Sequence, residues 1–244
     1  MLTIIGTGKM AEALIEGLAN DYSIEVVGRN SAKLNELSKK YNVSTAQLDG
    51  YDITDKIIVL CVKPHALEEV AQKVVGKAQV LISILAGTPI QKLQKIAASS
   101  YIRAMPNIAA LKKASMTTIT GSSEAKEIAT KIFRAIGRIL WVETEKELDI
   151  ATAIAGSGPA FLALVAEALA DGGVYCGLRR DAAMELVRGL FAGFATLEEL
   201  HPAAIKESVM SPGGTTAAGI KSLEESAVRA AFIDAITAAY ERTK

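Results

Sequence analysis

Six residues near the start of the chain, Gly6-Thr7-Gly8-Lys9-Met10-Ala11, follow a short apolar run and open a helical pattern. Glycine at the first position permits a tight turn, and glycine at the second lets a charged group approach the backbone. Ala11 lets the helix pack closely on the preceding strand. The helix start then presents unpaired amides and a partial positive charge, which suit phosphate. Gly6, Thr7, Gly8, Lys9 and Met10 are therefore read as contacts to a dinucleotide pyrophosphate, the other reading being a bare strand-to-helix turn.

The second apolar run ends in Gly28-Arg29-Asn30-Ser31, with Lys33 following. An NAD site usually places a carboxylate there for the ribose hydroxyl. Arg29 can instead grip a 2′-phosphate with paired donors, and Ser31 can cap the next helix toward it, with Asn30 beside them. This favours NADPH, with NADH possible; an Arg29 that is simply solvated is the alternative.

Two further clusters fall at the C-terminal ends of predicted strands, where open α/β sheets bind ligands. One is Cys61-Val62-Lys63-Pro64-His65, in which Pro64 ends ladder pairing and turns the chain. The other is Met105-Pro106-Asn107, whose amide offers donor and acceptor to a nicotinamide or ribose edge. Lys63 reads as a catalytic group, a backbone organiser or a phosphate contact. His65 and His201, the only histidines, show no acidic partner in sequence, and a metal site is not expected.

Two glycine-rich helix starts lie further on, Ala155-Gly156-Ser157-Gly158-Pro159 and Ser211-Pro212-Gly213-Gly214-Thr215-Thr216. Glycines just before a helix let a small ligand reach backbone amides, and a carboxylate suits them; a plain loop and cap has the same spacing.

These residues need a scaffold, and the 244-residue chain is long enough for one or two domains with a large core. Half of the residues are apolar and 22% are charged, a globular balance. Lys plus Arg equals Asp plus Glu at 27 each, which argues against nucleic-acid binding. Two cysteines without a CxxC pair fit a reducing cytoplasm, and the N-terminus has no basic region before its apolar run. The apolar stretch 160–174 is interrupted by Glu167, Asp171 and two glycines, so no membrane span is expected.

Up to about residue 143, apolar runs (2–5, 24–27, 57–62, 80–84, 101–104) alternate with helical patterns (11–19, 32–40, 66–75, 90–97). That order predicts a doubly wound parallel sheet with helices on both faces, a Rossmann-type α/β domain. Runs at 116–120 and 139–142 predict edge strands around a helix at 124–136. Residues 144–244 predict helices only, at 148–154, 160–176, 182–200, 202–208, 216–224 and 227–240. The helix from Ala160 is apolar nearly all round, so a dimerisation domain is expected.

The chain resembles the pyrroline-5-carboxylate reductase family along its whole length. The matching runs are 5–11, Val62-Lys63-Pro64, Ala86-Gly87, 103–107, 156–160, 167–173, His201-Pro202 and Ser211-Pro212-Gly213-Gly214-Thr215-Thr216, the last being the specific signature. The resemblance implies hydride transfer from NAD(P)H to the C=N carbon of pyrroline-5-carboxylate, giving L-proline, in the last step of proline biosynthesis. It places Ala86 and Gly87 with Val62, Lys63, Pro64, Met105 and Asn107 at the cofactor. It further implies a pocket between one subunit's cofactor and the partner's helices, and dimers that assemble to decamers. In this reading the amides of Gly213, Gly214 and Thr215 hold the carboxylate, Ser211 supports the loop, and the Thr216 hydroxyl bonds the ring nitrogen. Glu199 is a further candidate for the ring amine. A β-hydroxyacid dehydrogenase would need a catalytic Lys that residues 160–175 lack, and a non-catalytic NADPH sensor would not need the signature turn.

Overall fold

The computed structural model describes residues 1–243. Its contacts divide the chain into two units, the first running to Ser157 and taking up the chain again from Ala239, the second spanning Gly158–Ala238. The first unit thus extends past the boundary expected at residue 143.

The first unit's strands are β1 (Leu2–Ile5), β2 (Ile24–Gly28), β3 (Ser44–Gln47), β4 (Tyr51–Asp52), β5 (Ile57–Leu60), β6 (Val74–Val75), β7 (Ala78–Ser83), β8 (Ala98–Met105), β9 (Ser115–Gly121) and β10 (Gly137–Trp141). Its helices are α1 (Lys9–Leu18), α2 (Ser31–Tyr41), α3 (Leu67–Lys73), α4 (Ile90–Leu93), α5 (Lys126–Arg134) and α6 (Glu145–Ala151). Eight strands form one sheet in the order β10-β9-β8-β7-β5-β1-β2-β3, and β4 pairs with β6 separately. From β3 to β8 the sheet is parallel, whereas β9 runs antiparallel to β8, so the expectation of a purely parallel core holds only there.

Each central strand feeds both faces because successive side chains alternate. Ile4, Val26 and Val59 pack with Leu14, Ile15 and Leu18 of α1 on one side. Ile5, Val27, Ile58 and Leu60 pack with Leu67 and Val70 of α3 on the other. In α1, Ala11, Leu14, Ile15 and Leu18 recur at helical spacing and are all buried, each large side chain contributing about 1.5–3 kcal/mol. A capping box starts α6: the Thr144 side chain accepts from the Glu147 amide, and Glu147 accepts in return from the Thr144 amide. A π turn at Thr152–Gly156 follows α6.

The second unit contains α7 (Gly158–Tyr175), α8 (Arg180–Ala195), α9 (Pro202–Ser208), α10 (Thr215–Glu225) and most of α11 (Val228–Glu241). Its buried core is small: Ala170, Ala183 and Val187, backed by Ala166, Val174, Met184 and Phe191. Leu162, Leu164, Leu169, Leu186, Leu190 and Phe194 are exposed, so α7 and α8 carry apolar surface that the described residues leave uncovered. The helical run Glu145–Tyr175 is long and apolar enough to cross a membrane by length and composition alone.

Candidate active site

The sheet order reverses between β1 and β5, the switch point at which open α/β sheets leave a crevice at their strand ends. A cleft of about 800 Å³ lies there, in the first unit. Residues 6–10, Arg29, residues 62–64, Ala86 and Met105 line it, together with His65 and Glu69. Asn30, Ser31, Gly87 and Asn107 are not among the described residues that do.

Gly6 makes the turn possible. Its φ is +131°, its amide donates to the Val27 carbonyl at 2.8 Å, and a Cβ would stand 2.5 Å from the Cys61 carbonyl oxygen. Gly8 is the N-cap of α1 without a side-chain cap, and a Cβ built on it would meet nothing within 4 Å. The first-turn amides of α1 therefore lack intrahelical acceptors and open onto free space. Lys40 neutralises Glu12, the acidic residue of that turn, at 2.8 Å. Pyrophosphate fits this arrangement.

Arg29 reaches the cleft from the end of β2, and its Nη1 lies 2.5 Å from Oε2 of Glu69 on α3. Asn30, rather than Ser31, caps α2: its Oδ1 accepts from the Lys33 amide at 3.0 Å, while the Ser31 hydroxyl accepts from Gln47 Nε2 at 2.9 Å. Lys63 precedes a 3₁₀ turn begun by Pro64, which redirects the chain after β5. Burial pushes the Cys61 thiol far up, so it stays protonated.

The Asn107 amide is engaged by the protein itself. Its Oδ1 accepts from the Ala109 amide at 3.0 Å and its Nδ2 donates to the Ala155 carbonyl at 3.0 Å. Its observed partners thus organise the backbone after β8. Gly87 has φ +61°, and a Cβ there would come within 2.7 Å of the Thr243 carbonyl oxygen. His201 caps α9, its Nδ1 accepting from the Ala203 amide at 3.2 Å.

In the second unit, the signature turn leads into α10. Gly213 has φ +69°, a left-handed conformation suited to glycine. The Gly214 amide donates to the Ser211 carbonyl at 3.0 Å, which removes it from the donors assigned to a carboxylate. Gly214 caps α10 without a side chain, so the first-turn amides of Thr215, Thr216 and Ala217 are open donors beside that of Gly213. Thr215 and Ser211 are exposed and Thr216 is half-buried. Glu199 is exposed in the turn between α8 and α9. Among the described residues no group of three His, Cys, Asp or Glu side chains could hold a metal.

A switch-point cleft that keeps helix amides free and presents a guanidinium at the next strand end is what a dinucleotide-dependent oxidoreductase requires. Comparison with known proteins narrows that class. Residues 1–87 match a family described as NADP oxidoreductase, coenzyme F420-dependent, and residues 145–244 match pyrroline-5-carboxylate reductase dimerisation. A pyrroline-5-carboxylate reductase from Synechocystis is 41% identical, covering 100% of this chain and 97% of that protein. The crystal structure of the Streptococcus pyogenes 1-pyrroline-5-carboxylate reductase superposes with TM-score 0.87 at 31% identity, covering 100% and 97% of the two chains. The Plasmodium falciparum pyrroline carboxylate reductase with NADP bound gives TM-score 0.83 at 30% identity, covering 100% and 98%. The chain belongs to the pyrroline-5-carboxylate reductase family. The exposed apolar faces of α7 and α8 accordingly lie in a self-association domain.

Glu69 is a charged cleft residue that sequence reasoning missed. It lies 40 residues from Arg29 in an ordinary amphipathic stretch, and only the fold brings the two together.

Proposed function

We propose that this protein reduces pyrroline-5-carboxylate to L-proline with NADPH, the last step of proline biosynthesis. The observation that carries this is 41% identity to a reductase of that name over the full length of the chain. Bound NADPH supplies the hydride. The chain contributes placement: the first-turn amides of α1 hold the pyrophosphate, and Arg29 takes the 2′-phosphate. The substrate carboxylate goes to the amides of Gly213 and Thr215, with that of Thr216 beside them, and the Thr216 hydroxyl bonds the ring nitrogen and keeps its proton there. A protonated imine is already electrophilic, so positioning accomplishes most of the work. Glu199 is a second candidate for the ring amine.

In this reading the apolar surface of α7 and α8 is subunit surface rather than lipid contact, and dimers assemble further into decamers. The two free thiols, Cys61 and Cys176, suit a cytoplasmic setting.

The test is NADPH oxidation with pyrroline-5-carboxylate, repeated with NADH, with proline identified as product. Turnover of a β-hydroxy acid with NADP⁺ in place of the imine would overturn the proposal, as would cofactor binding with no turnover.

A further inference from the structure

Arg29 is not a free cation at the cleft wall. Its Nη1 is 2.5 Å from Glu69, and both side chains line the cleft. Glu69 also faces Lys73 at 3.3 Å, one turn further along α3, and Lys73 in turn faces Asp49 at 2.9 Å. Arg29 first, then Lys73, holds the Glu69 carboxyl below the usual carboxylate range, so it is ionised at neutral pH. Two cations and two carboxylates therefore cancel at this corner. Lys33 and Lys40 are already matched, by Glu36 at 2.9 Å and Glu12 at 2.8 Å.

A 2′-phosphate that engages Arg29 must share that guanidinium with Glu69 and bring a second negative charge beside it. A 2′-hydroxyl is uncharged and meets no such conflict. The pair is solvent-open, with Arg29 62% and Glu69 36% exposed, so it yields to a dianion without blocking it.

We propose that Glu69 is a specificity-determining residue, competing with the cofactor's 2′-phosphate for Arg29 and so limiting the preference for NADPH over NADH. The inference rests on the reading of Arg29 given above. It makes the preference a balance set between two strand-end and helix residues rather than by Arg29 alone.

Direct titration of the substrate-free protein with NADP⁺ and NAD⁺ tests it, on the unmodified chain, Glu69→Gln, Arg29→Ala and the double variant. Glu69→Gln should bind NADP⁺ about three- to tenfold more tightly and leave NAD⁺ unchanged, with the gain shrinking as salt is raised. In the Arg29→Ala background the same substitution should change NADP⁺ affinity far less. An unchanged or weakened NADP⁺ affinity in Glu69→Gln overturns the inference; if Arg29→Ala nonetheless loses NADP⁺ affinity and keeps that for NAD⁺, the NADPH reading of Arg29 survives that failure. Equal losses of both cofactors in Arg29→Ala overturn the reading of Arg29 itself. A full gain from Glu69→Gln without Arg29 overturns competition in favour of plain repulsion.

Discussion

Arg103 of β8 donates from Nη2 to the Asp149 carboxylate of α6 at 2.7 Å, with only 2% of the Arg103 side chain exposed. Its Nη1 donates to Glu145 at 3.1 Å, and the same Glu145 oxygen accepts from the Ile90 amide at 2.8 Å. A buried cation thus fastens the first helix of the dimerisation region to the sheet. Removing one partner of a buried pair strands the other, so Asp149→Ala should lower stability by about 2–4 kcal/mol. Glu145→Ala should do less, because its carboxylate is more exposed (37% against 21%) and leaves Asp149 in place. Urea unfolding of both variants checks the ranking, and an Asp149→Ala protein as stable as the parent would show that α6 is held by its apolar side chains instead.

Gly6 and Gly8 should part company on substitution. Gly6→Ala drives a methyl into the Cys61 carbonyl at a left-handed φ, and should cost about 1–3 kcal/mol of stability together with cofactor affinity. Gly8→Ala meets no atom and has an ordinary φ of −83°, so it should melt like the parent. It should nonetheless bind NADP⁺ at least about tenfold more weakly, since the methyl occupies the approach to the amides. Thermal melts paired with cofactor titrations separate packing from recognition; a Gly8→Ala protein of normal affinity would place the pyrophosphate elsewhere.

Thr216→Ala should fall roughly ten- to a hundredfold in turnover with cofactor affinity unchanged, the loss of one hydrogen bond that strengthens toward the transition state. Thr215→Ala should do less, since the assignment uses its amide and not its hydroxyl. Steady-state kinetics at saturating NADPH decide between them, and a crippled Thr215→Ala with a normal Thr216→Ala would reverse the two roles.

Leu164→Lys should leave each chain folded and prevent association. Leu164 is 66% exposed within its own chain, so lysine there disturbs little until a second copy buries it. Sedimentation velocity should find monomers or soluble aggregates where the parent forms defined oligomers. An intact, fully active oligomer would move the subunit contact away from this face of α7.

The parts of the molecule legible from sequence are those where one signal dominates. Leu2–Ile5 and Pro202–Ser208 fall where expected, since a short β-branched, mostly apolar run before the glycines and a His-Pro start admit few readings. β3 escaped because Ser44-Thr45-Ala46-Gln47 sits on the sheet edge, where partial burial asks for no apolar run. α4 stops at Leu93, short of the expected Ala97, as Ala98 enters β8 beside β7. The match to the dimerisation family begins at residue 145, beside the boundary expected at 143, while the compact first unit runs on to Ser157; Arg103, which holds α6 to the sheet, is 42 residues before Glu145. In the site, glycine spacing and strand ends gave the cleft wall, since backbone geometry dictates those residue types. The employment of the Asn107 amide within the protein, and the turn that consumes the Gly214 amide, depend on partners that no local pattern encodes.

The chain leaves the first unit at Ser157 and rejoins it at Ala239, where Thr243 closes against Gly87. The helices from Gly158 to Ala238 are therefore strung as a loop pinned at both ends rather than as a free tail. When such a segment melts, it gains less disorder than an untethered one, by an amount that grows only with the logarithm of its length. The short C-terminal return thereby opposes local melting of helices it need not touch, through the entropy it denies their unfolded state.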